Sequence, residues 1–346
     1  MINKLLQRFA AFSGCILSIV IALSPAESHG EYTHLFQLRG EVAAFDVSLK
    51  ELHLIDGKAE KTSASRKIAV KGQVSGVESV PNGLVAVATG IGRGDLQAPI
   101  RLTLYDKNGK EQGVAFEKVS ERPSVTFLKM VGDKLWITFF ESKFVTKTGF
   151  FTPSTNYPWA FNEVVTERLG DVTAILGDDV LVGRPYGEPQ GQDGDALLVS
   201  AGNKTTLPSY RGVRSITTWN ESPRDHVVLG DGWHQNYGQL AQGRLSLLTW
   251  NERSKRYALE ILDRDSTQYN FNKLIPISLD QKRYLAALGN RSFHFYKSTD
   301  NWQRTVVYSR ASEETFFDVA LLSIDSNKAR FLVLDKELHF VEVGVS

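Results

Sequence analysis

Residues 328–343, KARFLVLDKELHFVEV, contain two short apolar segments joined by a turn at Asp335 and Lys336. The same unit, an apolar strand, a turn and a second strand, recurs upstream at 282–298, 225–250, 178–201 and 83–106. From residue 33 onward, no helical stripe of 3.6-residue period continues beyond about ten residues. The sequence therefore predicts an all-β domain built from a repeated unit.

The spacing of the unit, about 40 to 50 residues, is typical of the blades of a β-propeller rather than of a sandwich. We expect seven blades, near residues 39–75, 76–122, 123–170, 171–212, 213–270, 271–312 and 313–346. Six or eight blades are alternatives, because strand ends assigned from pattern shift by several residues.

The ends of the chain suggest how such a ring closes. The last block holds only three good strands, and the apolar segment 33–38 stands alone before the first block. We expect this N-terminal strand to join the last blade and close the ring, because an open sheet edge invites pairing with other chains.

The first 28 residues predict a secretory signal peptide. Lys4 and Arg8 precede an apolar run over 9–23, and small residues at 24, 26 and 28 follow it. The run of about 15 residues is shorter than the roughly 20 that span a bilayer. We expect cleavage after Ala26 or Ser28, no transmembrane anchor after cleavage, and a single domain over 29–346 in the periplasm or outside the cell.

Composition narrows the function classes. The one cysteine, Cys15, lies inside the predicted leader, so the mature chain has no disulfide or thiolate metal site. Removing Lys4 and Arg8 from 40 basic residues leaves 38, against 39 acidic residues in the whole chain. A nearly neutral domain argues against nucleic acid as a partner.

Two middle units resemble FG-GAP propeller repeats, which occur in integrin heads and in many bacterial secreted proteins. The first is DVLVGRPYG followed by GQDGDALLV, and the second is HVVLGDGWH followed by YGQ and GRLSLL; they span 179–199 and 226–248.

The resemblance implies a propeller and, in many members, bound calcium in a carboxylate-rich loop. The matching stretches here, 220–225 and 325–327, lack a full set of ligands, and 263–265 offers only two carboxylates. We therefore expect ordinary Asx turns and no cofactor, with calcium as the alternative.

Loops between the second and third strands of all blades emerge on one face of a propeller, and loops on a rigid scaffold carry sites. The long loops here are 90–99, 142–159, 184–195 and 231–243. They supply aromatic, amide and charged side chains that suit a protein or carbohydrate ligand. The candidate ligand-binding residues are Arg184, Tyr186, Asp193, Asp195, Asp231, Trp233, His234, Asn236, Tyr237 and Arg244. The alternative for Trp233 and Tyr237 is packing between blades.

The sequence favours a non-catalytic binding or scaffold module. No nucleophile elbow, zinc helix or haem-attachment motif occurs, so we predict no catalytic residue and no metal ligand. The alternative is a hydrolase or lyase acting on a polar substrate, with Asp231 or Asp193 and His234 as an acid–base pair. A calcium-stabilised adhesion domain is a third hypothesis.

Overall fold

The computed structural model describes residues 31–58, 64–90, 98–185, 195–210, 212–219, 226–232, 242–265, 270–280, 282–325 and 327–345. These residues form 27 β-strands in seven antiparallel sheets, with short 3₁₀ turns at Pro81–Gly83 and Ser298–Asp300. Within these ranges no helix has both the length and the apolar character needed to cross a membrane. The predicted all-β class is confirmed.

Each sheet is one blade whose strands follow one another in chain order. Blades 1 to 3 consist of β1 (Tyr32–Gln37), β2 (Glu41–Asp46), β3 (Glu51–Asp56) and β4 (Arg66–Ala69); β5 (Gln73–Val80), β6 (Leu84–Gly90), β7 (Ala98–Tyr105) and β8 (Glu111–Ser120); β9 (Val125–Val131), β10 (Lys134–Phe140), β11 (Val145–Phe151) and β12 (Asn162–Arg168).

Blades 4 and 5 consist of β13 (Val172–Leu176), β14 (Asp179–Gly183), β15 (Ala196–Ser200) and β16 (Asn203–Leu207); β17 (Ser215–Thr218), β18 (His226–Asp231), β19 (Gly243–Asn251) and β20 (Arg256–Asp265). Blade 6 consists of β21 (Phe271–Leu279), β22 (Lys282–Gly289), β23 (Ser292–Lys297) and β24 (Gln303–Ser309). Blade 7 has three strands in the described part of the chain, β25 (Phe317–Asp325), β26 (Lys328–Asp335) and β27 (Glu337–Gly344).

The first strands of the blades form a closed inner ring. Each one contacts the first strand of the next blade, and β25 of the last blade contacts β1 of the first. The prediction of a seven-bladed propeller is therefore confirmed. The predicted boundaries hold to within a few residues except in blade 1, which begins at Tyr32 rather than at residue 39.

The N-terminal strand lies at the closure of the ring, but its pairing differs from the expectation. β1 pairs antiparallel with β2, from His34 opposite Phe45 to Gln37 opposite Val42, so it is the inner strand of blade 1 and not a strand lent to blade 7. The reason is the tight turn after it, in which Leu38 N donates to Glu41 O at 2.9 Å and Gly40 has a φ of +79°. This turn leads the chain straight back alongside β1.

The hydrophobic core consists of clusters packed between blades. Between blades 6 and 7, for example, the Phe293 and Phe331 rings meet edge to face with centroids 5.0 Å apart. Side chains of the second and third strands are buried on both faces because a neighbouring blade covers each face. Burial of this apolar surface is the main stabilising contribution in a chain without a disulfide framework.

Antiparallel strand order sorts the connections onto two faces. Turns between the second and third strands lie on the same face as the connectors that lead from the fourth strand of one blade to the first strand of the next. We call this the connector face; its connectors include 70–72, 121–124, 169–171, 208–210 with 212–214, and 310–316, and its turn residues include 47–50, 141–144, 184–185 and 195. The other connections lie on the opposite face.

Candidate functional site

Three of the four predicted loops join second and third strands, and the described residues at their ends lie on the connector face. They are the connections from β6 to β7, from β14 to β15 and from β18 to β19. The fourth prediction, 142–159, is wrong as a single loop, because β11 (Val145–Phe151) runs through it. Only 141–144 is the turn on the connector face. Residues 152–159, which follow β11, belong to the opposite face, where Trp159 packs into the core between blades 2 and 3.

The strand β11 was hidden because its buried positions are partly threonines. Thr146 and Thr148 are buried, and their hydroxyl groups bond inside the blades: Thr146 Oγ1 donates to Gly170 O at 3.0 Å, and Thr148 Oγ1 lies 2.8 Å from Thr138 Oγ1. A strand with hydroxyl groups at buried positions gives no apolar alternation in the sequence.

Asp231 ends β18 and is completely buried. Its carboxylate accepts hydrogen bonds from Tyr210 N at 2.8 Å, Arg244 Nε at 3.0 Å and Ser246 Oγ at 3.0 Å. Burial raises the pKa of the Asp231 carboxyl, and the Arg244 guanidinium opposes part of that rise. The carboxylate thus ties the second and third strands of blade 5 to the connector that enters the blade.

Arg244 is held between Asp231 and an aromatic ring. Its side chain is almost fully buried, and its guanidinium carbon lies 2.8 Å from the centroid of the Tyr210 ring. Tyr210 itself is 43% exposed on the connector face. The buried pair therefore positions an aromatic side chain that the sequence reasoning did not select.

Asp195 repeats this arrangement in blade 4. Its Oδ2 accepts a hydrogen bond from Gly212 N at 2.8 Å, again in the connector between blades 4 and 5. The backbone of Arg184 joins the same structure, since Arg184 N donates to Asp195 O and Arg184 O accepts from Val213 N. The Arg184 guanidinium pairs with Glu167 at 3.1 Å. These two candidates therefore anchor the loop base at the connector face.

The remaining candidates lie outside the described residues: Tyr186, Asp193, Trp233, His234, Asn236 and Tyr237. Their roles, and the acid–base pair that includes His234, stay predictions. Among the described residues, no group of three or more His, Cys, Asp or Glu side chains is arranged to hold a metal ion. The possible calcium ligands at 220–225 also lie outside these ranges.

Exposed apolar side chains concentrate on the connector face. Four of the seven large hydrophobic residues that are exposed in the described part lie in its turns and connectors: Leu49 at 57%, Phe144 at 49%, Tyr210 at 43% and Phe316 at 52%. A fifth, Val119 at 60%, lies in β8 one residue before the strand ends at this face. The other two, Val306 and Ile324, lie in strands β24 and β25. The sequence reasoning missed this surface because each residue is a single apolar side chain in a turn, a connector or a strand end.

Charged side chains of three successive connectors lie near one another on this face. Asp171 directly precedes β13. The Arg122 and Arg214 guanidinium groups, which belong to the preceding and the following connector, interact electrostatically with its carboxyl group. Burial raises the pKa of Asp171 to about 6, against the opposing effect of the two arginines. Arg122 in turn lies over the Phe140 ring at 3.7 Å. The face thus combines apolar side chains with arginines fixed on aromatic rings.

No family model matches the chain, and no curated protein matches it in sequence. Solved structures match its fold. The WD40 domain of Toxoplasma gondii coronin has a TM-score of 0.57 at 15% identity, covering 94% of this chain and 84% of that one. The N-terminal domain of Nup159 has a TM-score of 0.55 at 12% identity, covering 94% and 95%. A chain in the structure of S. cerevisiae Dbp5 bound to Nup159, Gle1, IP6 and ADP has a TM-score of 0.53 at 11% identity, covering 93% and 90%. At these identities the comparison shows the fold alone: a seven-bladed β-propeller.

Proposed function

We propose that this protein is an exported, non-catalytic binding or scaffold module whose connector face recognises a protein ligand, without a cofactor. The observation that carries the proposal is the concentration of exposed Leu49, Val119, Phe144, Tyr210 and Phe316 on one face. Contiguous apolar patches mark interaction sites, and we take these five residues as parts of one such surface. Aromatic residues and arginines are the usual energetic centres of protein interfaces.

The rigidity of the connector face supports the same function. Asp231, Asp195 and Asp335 each fix a connector through a backbone N–H, at Tyr210, Gly212 and Ala311 respectively. A surface ordered before binding loses less conformational entropy when a partner docks. A similar fold also occurs in a protein complex, that of yeast Dbp5 with Nup159 and Gle1.

The proposal also covers export, the type of propeller repeat and the alternative ligand. Export to the periplasm or the outside rests on the leader-like pattern of residues 1–28. The kinship with FG-GAP repeats rests on 179–199 and 226–248, which include the second and third strands of blades 4 and 5. A carbohydrate is the alternative ligand, because Tyr210 presents an aromatic ring beside polar groups.

Site-specific photo-crosslinking in the native host tests the proposal. A benzoylphenylalanine residue is placed at Phe144 or Phe316 on the connector face, and at Asp178 or Lys255 in turns of the opposite face. We expect a discrete crosslinked protein from the first pair only. Crosslinks of equal yield from both faces, or none from the connector face, would contradict a docking role for this surface.

A substitution pair separates binding from folding. Phe144→Ser removes an exposed ring, so we expect the crosslink from position 316 to weaken while the melting temperature stays within about 1 °C of the wild type. Phe151→Ser, in the buried core of the same blade, is the contrast: it lowers the melting temperature strongly. A loss of crosslinking that follows stability in both variants would mean that folding, not contact, controls the result.

A further inference from the structure

Blade 7 is one strand short among the described residues. Each of the other six blades has a fourth, outer strand, whereas the outermost strand of blade 7 is its third, β27. The residues of β27 are buried like those of an inner strand: Leu338, Phe340, Val341 and Val343 are all at most 5% exposed. The outer edge of this blade is therefore a core-like strand.

The direction of the backbone groups at this edge follows from the pairing. Val345 N donates to Asn327 O at 2.8 Å, and the register continues without a bulge from Gly344 opposite Lys328 to Glu337 opposite Asp335. In an antiparallel pair, every second residue exchanges hydrogen bonds with the partner strand. The N–H and C=O groups of the residues between them point to the open edge; these residues are Leu338, Phe340, Glu342 and Gly344.

This edge lacks most of the usual protection against strand pairing. Natural edge strands are short, bulged, or carry proline or charged side chains, lysine above all. β27 has eight residues, no bulge, and neither proline nor lysine in ELHFVEVG; its charged side chains are two glutamates, one of which, Glu342, is paired with Lys328 and Arg330 of β26. Its backbone is thus ready to accept another strand.

The space beside β27 suits a single strand and not a second propeller. The outer strand β24 of blade 6 lies against β27, and it extends one strand further from the axis than β27 does. The step is one strand spacing, about 4.8 Å. In two copies of the protein, the protruding outer strands would therefore keep the two β27 edges from pairing with each other. A single extended segment, in contrast, fits in the space beside β27, which we call the slot.

The proposed export removes most of the residues before β1, which could otherwise supply the missing strand of blade 7 from the chain itself. Cleavage after Ala26 leaves Glu27–Glu31, five residues, before β1. The shortest outer strand, β4, has four residues, and the shortest connectors, such as 70–72, have three. An outer strand with its connector therefore needs at least seven residues, more than the five that remain. Cleavage after Ser28 leaves even fewer.

We propose that β27 is a strand-addition site, at which an extended segment of a partner protein completes blade 7. This inference rests on the proposed export, which removes the leader. The six outer strands of the chain show what the partner segment resembles: strands of four to ten residues, largely polar, with a few buried or half-buried apolar side chains, as in QRTVVYS of β24. Backbone hydrogen bonds provide the affinity in this mode of recognition, and alternate side chains provide the specificity.

The test uses the exported protein and the capped peptide KTVTVTVK, a generic strand, with fluorescence anisotropy and amide hydrogen exchange. In the free protein we expect fast exchange at Leu338, Phe340 and Glu342, and slow exchange at His339 and Val341. The peptide is expected to bind saturably and to slow exchange at the first three only. A peptide with proline in place of its central threonine should not bind.

A matched pair of variants isolates the backbone. Glu342→Pro removes an outward N–H without removing a bond to β26, and Glu342→Ala removes the same side chain but keeps the N–H. We expect binding to weaken about tenfold or more in the first variant and less than about threefold in the second. Gly344→Pro is the substitute if Glu342→Pro lowers the melting temperature.

Three outcomes overturn the inference. Equal affinity of the wild type and the proline variants, or no binding of the peptide, refutes strand addition. Slow exchange at Leu338, Phe340 and Glu342 in the free protein means that the slot is already filled. In that case the intact mass of the purified protein shows whether the leader was removed. A chain that begins at Met1 refutes export as well, whereas a chain that begins at Glu27 or His29 is consistent with export. A dimer with slow exchange would identify a second copy as the donor.

Discussion

Asp318 Oδ2 accepts a 2.8 Å hydrogen bond from Leu35 N, and this contact joins the last blade to the first. Lys273 of blade 6 reaches the same point, since its Nζ lies 2.9 Å from Asp318 Oδ1 and donates to Leu35 O at 3.1 Å. The two side chains thus satisfy the backbone N–H and C=O of Leu35 at the inner edge of β1. The ring closes through an ion pair on the backbone of β1 instead of through a shared strand.

This closure predicts a measurable stability difference. Asp318→Ala removes the acceptor of the Leu35 N–H and the partner of Lys273, so we expect the free energy of unfolding to fall by about 1 to 2 kcal/mol. Urea denaturation followed by tryptophan fluorescence measures it. Glu252→Ala, which removes an ion pair with Lys255 in which both side chains are more than two-thirds exposed, should cost less than about 0.5 kcal/mol. Equal losses in both variants would show that the ring closes by apolar packing alone.

The hydrogen bonds around Asp231 predict a larger loss in the free energy of unfolding than the one expected for Asp318→Ala. Asp231→Ala leaves the Arg244 guanidinium and the Tyr210 N–H buried without their acceptor, and breaking a buried pair by removing one partner costs about 3 to 5 kcal/mol. We expect a loss of about 3 kcal/mol in the same denaturation experiment. Asp178→Ala is the control: the Asp178 side chain is 93% exposed, so this substitution should change stability by less than about 0.5 kcal/mol. A small effect would mean that the buried Asp231–Arg244 pair adds little net stability to the fold.

The fold was predictable from the sequence because the blades repeat. Every blade needs apolar second and third strands separated by a turn, and such a unit is visible wherever its strands lack long insertions, as at 282–298 and 328–343. The placement of β1 was not predictable, because an apolar strand at the N-terminus pairs equally well with blade 1 or blade 7. The turn at Gly40 decides between them in the folded chain.

The candidate site was predictable only in part. Polar residues at the loop bases, such as Asp195 and Asp231, were selected for their chemistry, yet both bond to a connector at Gly212 and Tyr210. Pairing between groups about 20 residues apart is not visible in one sequence. Exposure of Phe144 or Phe316 is equally invisible, because a lone aromatic residue between strands is as compatible with a core position as with the surface.

Close contact between the last residue of β6 and a connector predicts the effect of a methyl group at Gly90. A Cβ atom there would collide with the carbonyl of Pro123, which precedes β9, so the backbone of blade 2 or blade 3 has to move. We expect Gly90→Ala to lower the free energy of unfolding by about 2 kcal/mol or more. Gly40→Ala meets no atom within 4 Å but has a φ of +79°, so it isolates backbone strain and should cost about 1 kcal/mol. Equal costs would argue against the collision.

Glu78 predicts a pH dependence of stability. It lies on β5, and burial raises the pKa of its carboxyl to about 7 from the ordinary 4.5, although Ser79 N, Lys129 and Met130 N favour the charged form. Because the folded pKa is raised, the contribution of Glu78 to stability is complete below about pH 4.5 and is lost as pH rises through about 7. The full shift corresponds to about 3 kcal/mol, and partial solvent contact reduces our expectation to about 1 to 2 kcal/mol.

Glu78→Gln tests this by keeping the hydrogen-bond acceptor and removing the titration. We expect the variant to gain about 1 to 2 kcal/mol over the wild type at pH 8, and to differ little from it at pH 4.5, in urea denaturation across that range. Asp171 titrates in the same direction, but it is present in both proteins and cancels in the difference. Glu252→Gln, at an exposed position, should give a flat difference. A gain for Glu78→Gln that does not grow with pH would mean that this carboxyl is already ionised in the folded propeller at pH 4.5.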